Sequence, residues 1–135
     1  KEDFTVGVMG LGKLGLRVVE TMRSFGFPVR GWSRTPKELP GVDCFAGMEA
    51  LDAFLSGTRV LVSLLPLTNE TNNLLDRRRL STLPRGSYVI NVARGAQLAE
   101  PDLLTLIRAG HIAGSTLDVF LNYSLPAPYI IPGYR

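Results

Sequence analysis

The sequence has few of the residues and segments from which disulfides, metal sites or membrane spans are built. Its 135 residues include one cysteine, Cys44, and one histidine, His111. A lone cysteine without a surrounding ligand cluster predicts a small core residue, no internal disulfide and no metal site. No apolar run approaches the ~20 residues of a membrane span. The charged start at 1–3 is unlike a signal peptide, so we predict a cytoplasmic protein without membrane contact.

Basic residues only slightly outnumber acidic residues. Fifteen basic and twelve acidic residues give a net charge of +3, and the apolar fraction is 45%. The basic residues are scattered, and the one cluster, Arg77-Arg78-Arg79, follows Asp76 as in a solvated helix face or loop. We predict no nucleic-acid partner, and one globular domain in a chain of this length.

A glycine-rich turn follows the first apolar run. Glycines stand at 10, 12 and 15, between the run at 4–9 and a helical pattern over 13–25. Gly10 would allow a tight turn, Gly12 the close approach of a diphosphate, and Gly15 close contact between helix and strand. Backbone N–H groups and the positive end of the helix dipole would then point at one anion. The predicted cofactor contacts here are Gly10, Leu11, Gly12, Lys13, Leu14 and Gly15.

Apolar runs and helical patterns alternate along the chain, which favours parallel strands joined by helices. The predicted strands lie near 4–9, 29–32, 43–45, 59–64, 87–91 and 114–119. The predicted helices lie near 13–25, 48–55, 77–81 and 101–109, and the first has Leu14, Val18, Met22 and Phe25 along one face. We predict an α/β fold, a Rossmann-like doubly wound parallel sheet with helices on both faces, in which ligands bind beyond the carboxyl ends of the strands.

The second predicted strand ends without an acidic residue. Ser33 lies 23 positions after Gly10, near the spacing at which an NAD-binding domain places an acid against the ribose hydroxyls. A hydroxyl followed by Arg34, with Lys37 nearby, could instead bind a 2′-phosphate. This pattern predicts NADP(H) in preference to NAD(H). The alternative is a surface turn that happens to be basic.

Three later strand ends carry further candidates. Pro66 would end a strand, and Thr71 could help turn the chain into a short helix. Arg94 could bind a carboxylate with its planar fork of donors, or could be an unrelated surface arginine. Asp118 stands between apolar neighbours, so it accepts from backbone N–H groups or meets a ligand amide.

Together these motifs resemble the cofactor-binding domain of the D-2-hydroxyacid dehydrogenase family, and within it the bacterial NADPH-using glyoxylate/hydroxypyruvate reductases. The matching strings lie at 2–7, 10–15, 32–34, 40–47, 64–66, 91–95 and 117–120. They imply a dinucleotide-binding domain over 1–120, an enzyme that transfers hydride between NADPH and a small 2-oxo or 2-hydroxy acid, and a homodimer.

The resemblance also implies residue roles. Arg94 would be catalytic, holding the substrate carboxylate and polarising its keto oxygen. Asp118 would contact the nicotinamide carboxamide, and Ser33 and Arg34 would hold the 2′-phosphate. The other implied cofactor contacts are Trp32, Leu65, Pro66, Thr71, Val92 and Ala93.

The chain departs from the family's pattern after residue 120. Tyr123 stands where the family has a glutamate that orients a catalytic histidine, and that histidine is absent. His111 falls at a position that the family leaves to polar residues, so we assign it no catalytic role. The segment 121–135 is read as an atypical tail: a truncated or frameshifted end, or joined segments. We therefore expect a chain that binds NADPH with little turnover.

Three other functions are compatible with parts of this pattern. The glycine turn with Ser33-Arg34-Thr35-Pro36 also resembles the opening of the 3-hydroxyacid dehydrogenases, which lack the string around Arg94. A non-catalytic NAD(P)-sensing module would need only the phosphate cradle. A methyltransferase is disfavoured, because that chemistry usually requires an acid where Ser33 stands.

Overall fold

The fold is built on one parallel sheet of six strands. A computed structural model describes residues 4–65, 74–91 and 100–117, with only the backbone described at 100, 116 and 117. The spatial order of the strands is β3-β2-β1-β4-β5-β6. The strands are β1 (Val6–Met9), β2 (Val29–Ser33), β3 (Asp43–Ala46), β4 (Val60–Ser63), β5 (Ser87–Asn91) and β6 (Ile112–Leu117).

Helices connect these strands in the predicted places. They are α1 (Lys13–Ser24), a 3₁₀ turn (Met48–Ala50) that leads into α2 (Leu51–Ser56), α3 (Arg77–Leu80) and α4 (Glu100–Arg108). The doubly wound α/β prediction is confirmed, and β6 begins two residues earlier than predicted. The order reverses between β1 and β4, and it is beside this reversal that such sheets bind ligands.

The sheet is covered on both faces, which explains why its strands are apolar without alternation. On one face, Val6 and Val8 of β1 pack with Val19 of α1. On the other face, Met9 of β1 belongs to a larger cluster that includes Phe54 of α2 and Leu103 of α4. Within the described residues, no helix is long and apolar enough to cross a bilayer.

The buried face of α1 agrees with the predicted face only in part: Val18 and Met22 pack against the core cluster, as predicted. Leu14 is 58% exposed and Phe25 is 57% exposed, whereas Gly15 and Val19 are buried. The reason is the contact of Gly15 with the glycine turn, because the residue without a side chain must stand at the closest approach of helix and strand. This contact sets the rotation of α1.

The basic cluster in α3 contacts three acidic side chains, one through a guanidinium and two through backbone N–H groups. The Arg78 guanidinium lies 3.1 Å from the Asp52 carboxylate, and the Arg77 backbone N–H donates to Asp102 at 2.9 Å. Asp76 caps α3 by accepting from the Arg79 backbone N–H at 3.0 Å. These contacts join α3 to α2 and α4, and the Arg78 and Asp52 side chains are more than half exposed, as predicted for a solvated helix face.

Candidate dinucleotide site

The glycine turn between β1 and α1 has the geometry of a phosphate cradle. Gly10 has a φ of +100°, which favours glycine. A Cβ on Gly15 would lie 1.9 Å from the carbonyl oxygen of Gly10, so only glycine allows α1 to pack this closely. A Cβ on Gly12 would meet nothing within 4 Å. The turn is therefore tight beneath Gly10 and Gly15 and open above Gly12.

The start of α1 presents several backbone donors to this open side. The helix begins after Gly12, and its first internal hydrogen bond runs from the Leu16 N–H to the Gly12 carbonyl, at 2.9 Å. The N–H groups of residues 13–15 therefore have no acceptor within the helix. The first turn contains no acidic residue, and Lys13 adds a positive charge where the helix dipole is already positive. Such an end is suited to bind an anion.

Leu11 contributes to this turn from inside the core. Its side chain is 2% exposed and packs over Gly31 of β2, where a Cβ would lie 2.9 Å from Leu11 Cδ1. A ligand can therefore contact Leu11 only at the Leu11 backbone. The cofactor contact predicted for this residue is thus limited to its main-chain atoms. The buried side chain anchors the turn against β2.

A cavity of about 390 Å³ lies over the turn and the carboxyl ends of β2 and β4. Three cationic side chains, Lys13, Arg34 and Lys37, are among its lining residues, and no carboxylate is among the described residues that line it. The cavity is lined by Gly10, Leu11, Gly12, Lys13, Leu14, Gly15, Ser33, Arg34, Thr35, Lys37, Leu64 and Leu65. Its charge and its row of backbone donors suit a polyanionic ligand.

Trp32 is not among the residues that line this cavity, and its role as a cofactor contact stays a prediction. It is 1% exposed, and its indole N–H donates to the Gly47 carbonyl at 2.9 Å. Side chains alternate along a strand, so Gly31 and Ser33 face the glycine turn while Trp32 faces the opposite side. There it borders a second cavity, of about 370 Å³, lined by Trp32, Arg34, Thr35, Gly47 and Met48.

The residues after β2 have different degrees of burial. Ser33 is 6% exposed, and its hydroxyl donates to the Thr35 carbonyl at 2.6 Å. Arg34, Thr35 and Lys37 are exposed at the cavity. Thr35 and Leu64 also line the cavity, although neither was predicted as a contact. The only signal for them in the sequence is that each is adjacent to a predicted contact at a strand end.

Several predicted site residues lie outside the described residues: Pro66, Thr71, Val92, Ala93, Arg94 and Asp118. Their roles stay predictions. His111, by contrast, is described. Its Nε2 lies 2.8 Å from the Leu83 carbonyl, and it precedes β6, at the edge of the sheet opposite the cavity. This position agrees with a structural role for the only histidine in the chain.

A doubly wound sheet with a phosphate cradle at its first βα turn defines a dinucleotide-binding domain of the Rossmann type. The family model described as "D-isomer specific 2-hydroxyacid dehydrogenase, NAD binding domain" matches residues 2–131. The chain belongs to this family as its NAD-binding domain. The resemblance seen in the sequence is thereby confirmed, and the 3-hydroxyacid dehydrogenase and methyltransferase alternatives are removed.

Individual relatives are similar to most of this chain. It is 48% identical over 126 residues to glyoxylate/hydroxypyruvate reductase A of Yersinia enterocolitica, covering 93% of this chain and 40% of the relative. A D-isomer specific 2-hydroxyacid dehydrogenase of Xanthobacter autotrophicus Py2, solved with NADPH and MES, matches with a TM-score of 0.90 and 51% identity, over 95% of this chain and 41% of that one.

A third match is an NADPH-dependent glyoxylate/hydroxypyruvate reductase of Sinorhizobium meliloti, solved with NADP and sulfate. The TM-score is 0.88 and the identity 36%, over 96% of this chain and 43% of that one. The chain thus spans about 40% of the length of the relatives that it matches.

Proposed function

We propose that the chain is the NADPH-binding part of a reductase that converts a small 2-oxo acid, of the glyoxylate or hydroxypyruvate type, to the D-2-hydroxy acid. The observation that carries this proposal is the cavity in which the α1 phosphate cradle faces Arg34 and Lys37. The names of the Yersinia and Sinorhizobium relatives support the substrate class. The bound coenzyme would supply the hydride, and the chain's own residues would bind and orient it.

The residues present fit the diphosphate of such a coenzyme. Gly12 leaves the space that a Cβ would fill, and the N–H groups of residues 13–15 provide donors without helical acceptors. Lys13 lines the same cavity and would neutralise part of the diphosphate charge. The cradle therefore explains coenzyme binding but does not distinguish NADP(H) from NAD(H).

The end of β2 favours the phosphorylated coenzyme. Ser33 occupies the place at which NAD-specific domains carry an acid, and such an acid would repel a 2′-phosphate. Arg34 and Lys37 line the same cavity, and a 2′-phosphate adds about 1.5 to 2 negative charges at neutral pH. Arg34 is proposed as the main partner, because its guanidinium can donate two parallel hydrogen bonds to a phosphate.

Arg34→Ala is expected to weaken NADPH binding about thirtyfold, the loss of one charge-assisted contact, and to change NADH binding less than about twofold. Isothermal titration calorimetry with both coenzymes measures this selectivity. Arg108→Ala on α4 is the matched control, since it removes the same charge from an exposed residue that does not line the cavity. Equal affinity of the unmodified chain for NADPH and NADH would refute the assignment.

The substrate side of the proposal depends on residues outside the described ranges. Arg94 follows β5 by three residues and Asp118 directly follows β6 in the sequence, so both come after carboxyl ends of strands. We propose that Arg94 holds the substrate carboxylate and that Asp118 contacts the nicotinamide carboxamide. We also propose a cytoplasmic homodimer and a coenzyme domain over 1–120, followed by an atypical tail over 121–135.

The 135-residue chain is expected to reduce glyoxylate or hydroxypyruvate about 10² to 10⁴ times more slowly than the Sinorhizobium reductase, because it provides no histidine general acid at the cavity. His111 is bonded to Leu83 at the far edge of the sheet. The measurement is NADPH oxidation under saturating coenzyme, after calorimetry has shown binding. Turnover at the rate of the Sinorhizobium enzyme would contradict the proposal.

A further inference from the structure

We propose that Ser33 is a positioning residue for Arg34 and not itself a ligand of the coenzyme's 2′-phosphate. The buried hydroxyl of Ser33 would close the turn over residues 33–35 and thereby direct Arg34 into the cavity. This inference rests on the proposed preference for NADPH. It differs from the role that family resemblance implies for Ser33, which is a direct phosphate contact.

The first argument is the hydrogen bond that Ser33 already makes. Its hydroxyl donates to the Thr35 carbonyl at 2.6 Å, and the residue is 6% exposed. A serine hydroxyl has a single proton to donate, and an ionised phosphate offers only acceptor oxygens. Ser33 could therefore donate to the 2′-phosphate only by releasing the Thr35 carbonyl. Arg34, by contrast, carries five guanidinium N–H donors, two of which can bind one phosphate together.

The second argument is the way in which the backbone of Ser33 is held. Gly47, with a φ of +79°, donates its N–H to the Ser33 carbonyl at 3.0 Å. The Gly47 carbonyl in turn accepts from the Trp32 indole at 2.9 Å. Residues 32 and 33 are thus held by the segment after β3, on the side of β2 away from the glycine turn.

The hydrogen bonds with Gly47 hold the chain as far as Ser33, and the side chains of the next residues lie at the cavity. All three residues 33–35 line the cavity, but Arg34 and Thr35 are exposed whereas Ser33 is only 6% exposed. The Ser33–Thr35 hydrogen bond spans Arg34, so it restricts the backbone on both sides of that residue. Without the hydroxyl, the turn over residues 33–35 would lose this hydrogen bond, and the Arg34 guanidinium would adopt a wider range of orientations.

A double-mutant cycle separates a positioning residue from a ligand. The four proteins are the unmodified 135-residue chain, Ser33→Ala, Arg34→Ala and the double variant, each titrated with NADPH and with NADH by calorimetry. Ser33→Ala alone is expected to weaken NADPH binding about tenfold and NADH binding less than about twofold. In the Arg34→Ala background, the same change is expected to alter NADPH binding less than about twofold.

Two outcomes would overturn the proposal. The first is a Ser33→Ala loss of NADPH affinity that is as large in the Arg34→Ala background as in the unmodified chain, which would show that Ser33 acts independently of Arg34. The second is no loss of NADPH affinity when Ser33→Ala is made in the unmodified chain. The NADPH-to-NADH affinity ratio is the decisive readout, because general destabilisation would not change it selectively. If the alanine variant does not fold, as judged by circular dichroism, Ser33→Cys takes its place in the cycle, since it has similar size and a much weaker donor.

Failure of the proposed function is recognised separately. If the proposed function is wrong, the unmodified chain and the Arg34→Ala variant will each bind NADPH and NADH with equal affinity. That result would remove this inference together with the NADPH preference. A clear preference that Arg34→Ala abolishes, with independent losses at Ser33, would remove the inference alone.

Discussion

Replacing Gly15 with alanine is expected to lower the free energy of unfolding by about 3 kcal/mol and to abolish NADPH binding. The added Cβ would lie 1.9 Å from the Gly10 carbonyl oxygen and 2.9 Å from its carbon. Both atoms are backbone of the turn, so α1 or the turn itself must move. Alanine in a helix gains about 1 kcal/mol over glycine, which only partly offsets this clash.

Urea denaturation followed by circular dichroism measures the first effect, and calorimetry measures the second. Gly12→Ala is the matched control, because it adds the same methyl group to the same turn where nothing lies within 4 Å. Its expected loss of stability is about 1 kcal/mol or less, the difference between glycine and alanine at a helix N-cap. A Gly15→Ala protein with unchanged midpoint and affinity would show that this close contact is not required.

Gly12→Val is expected to have the opposite profile: a folded protein with NADPH binding weakened about a hundredfold. Gly12 has φ −80° and ψ −161°, an extended conformation that valine adopts readily. A Cβ there points into open space, so its branched methyl groups would fill the place proposed for the diphosphate. The predicted change is therefore in binding and only slightly in folding.

Calorimetry with NADPH and thermal unfolding of the same samples test this prediction together. Glu20→Val provides the control, since Glu20 is exposed on α1 and does not line the cavity. A folded Gly12→Val protein with the affinity of the unmodified chain would mean that the diphosphate does not pass over this turn.

The arrangement of strands and helices was predictable because local signals were consistent along the chain. Apolar runs marked all six strands, and glycine and proline marked helix ends, as at Pro101 and at Gly110, which has a φ of +81°. The roles of the glycines could also be predicted, because the spacing of Gly10, Gly12 and Gly15 corresponds to the backbone requirements of a phosphate-binding turn.

The burial of individual side chains was less predictable, because tertiary packing overrides local pattern. The periodicity of α1 placed four apolar residues on one face. Val18 and Met22 do pack against the core, whereas Leu14 and Phe25 are exposed, and the closest approach of the helix to the glycine turn is made by Gly15. Trp32 was grouped with Ser33 and Arg34 because they are adjacent in sequence. On a strand, however, neighbours face opposite sides, and Trp32 belongs to the core.

The hydrogen bonds around Ser33 could not be predicted from the sequence. They depend on Gly47, 14 positions away, being brought beside β2 by the pairing of Ser33 with Ala46. No local motif indicates that pairing. The distinction between a buried positioning hydroxyl and an exposed ligand therefore required the structure.

We propose that the start of α1 holds the coenzyme diphosphate while Arg34 binds its 2′-phosphate. The most direct measurement is a titration of the ¹⁵N-labelled chain with NADPH, followed by amide chemical shifts. We expect the largest shifts at the amides of Lys13, Leu14 and Gly15, together with Arg34, and smaller shifts at Arg34 with NADH. Saturating NADPH that leaves the amides of 12–15 unmoved would contradict the account.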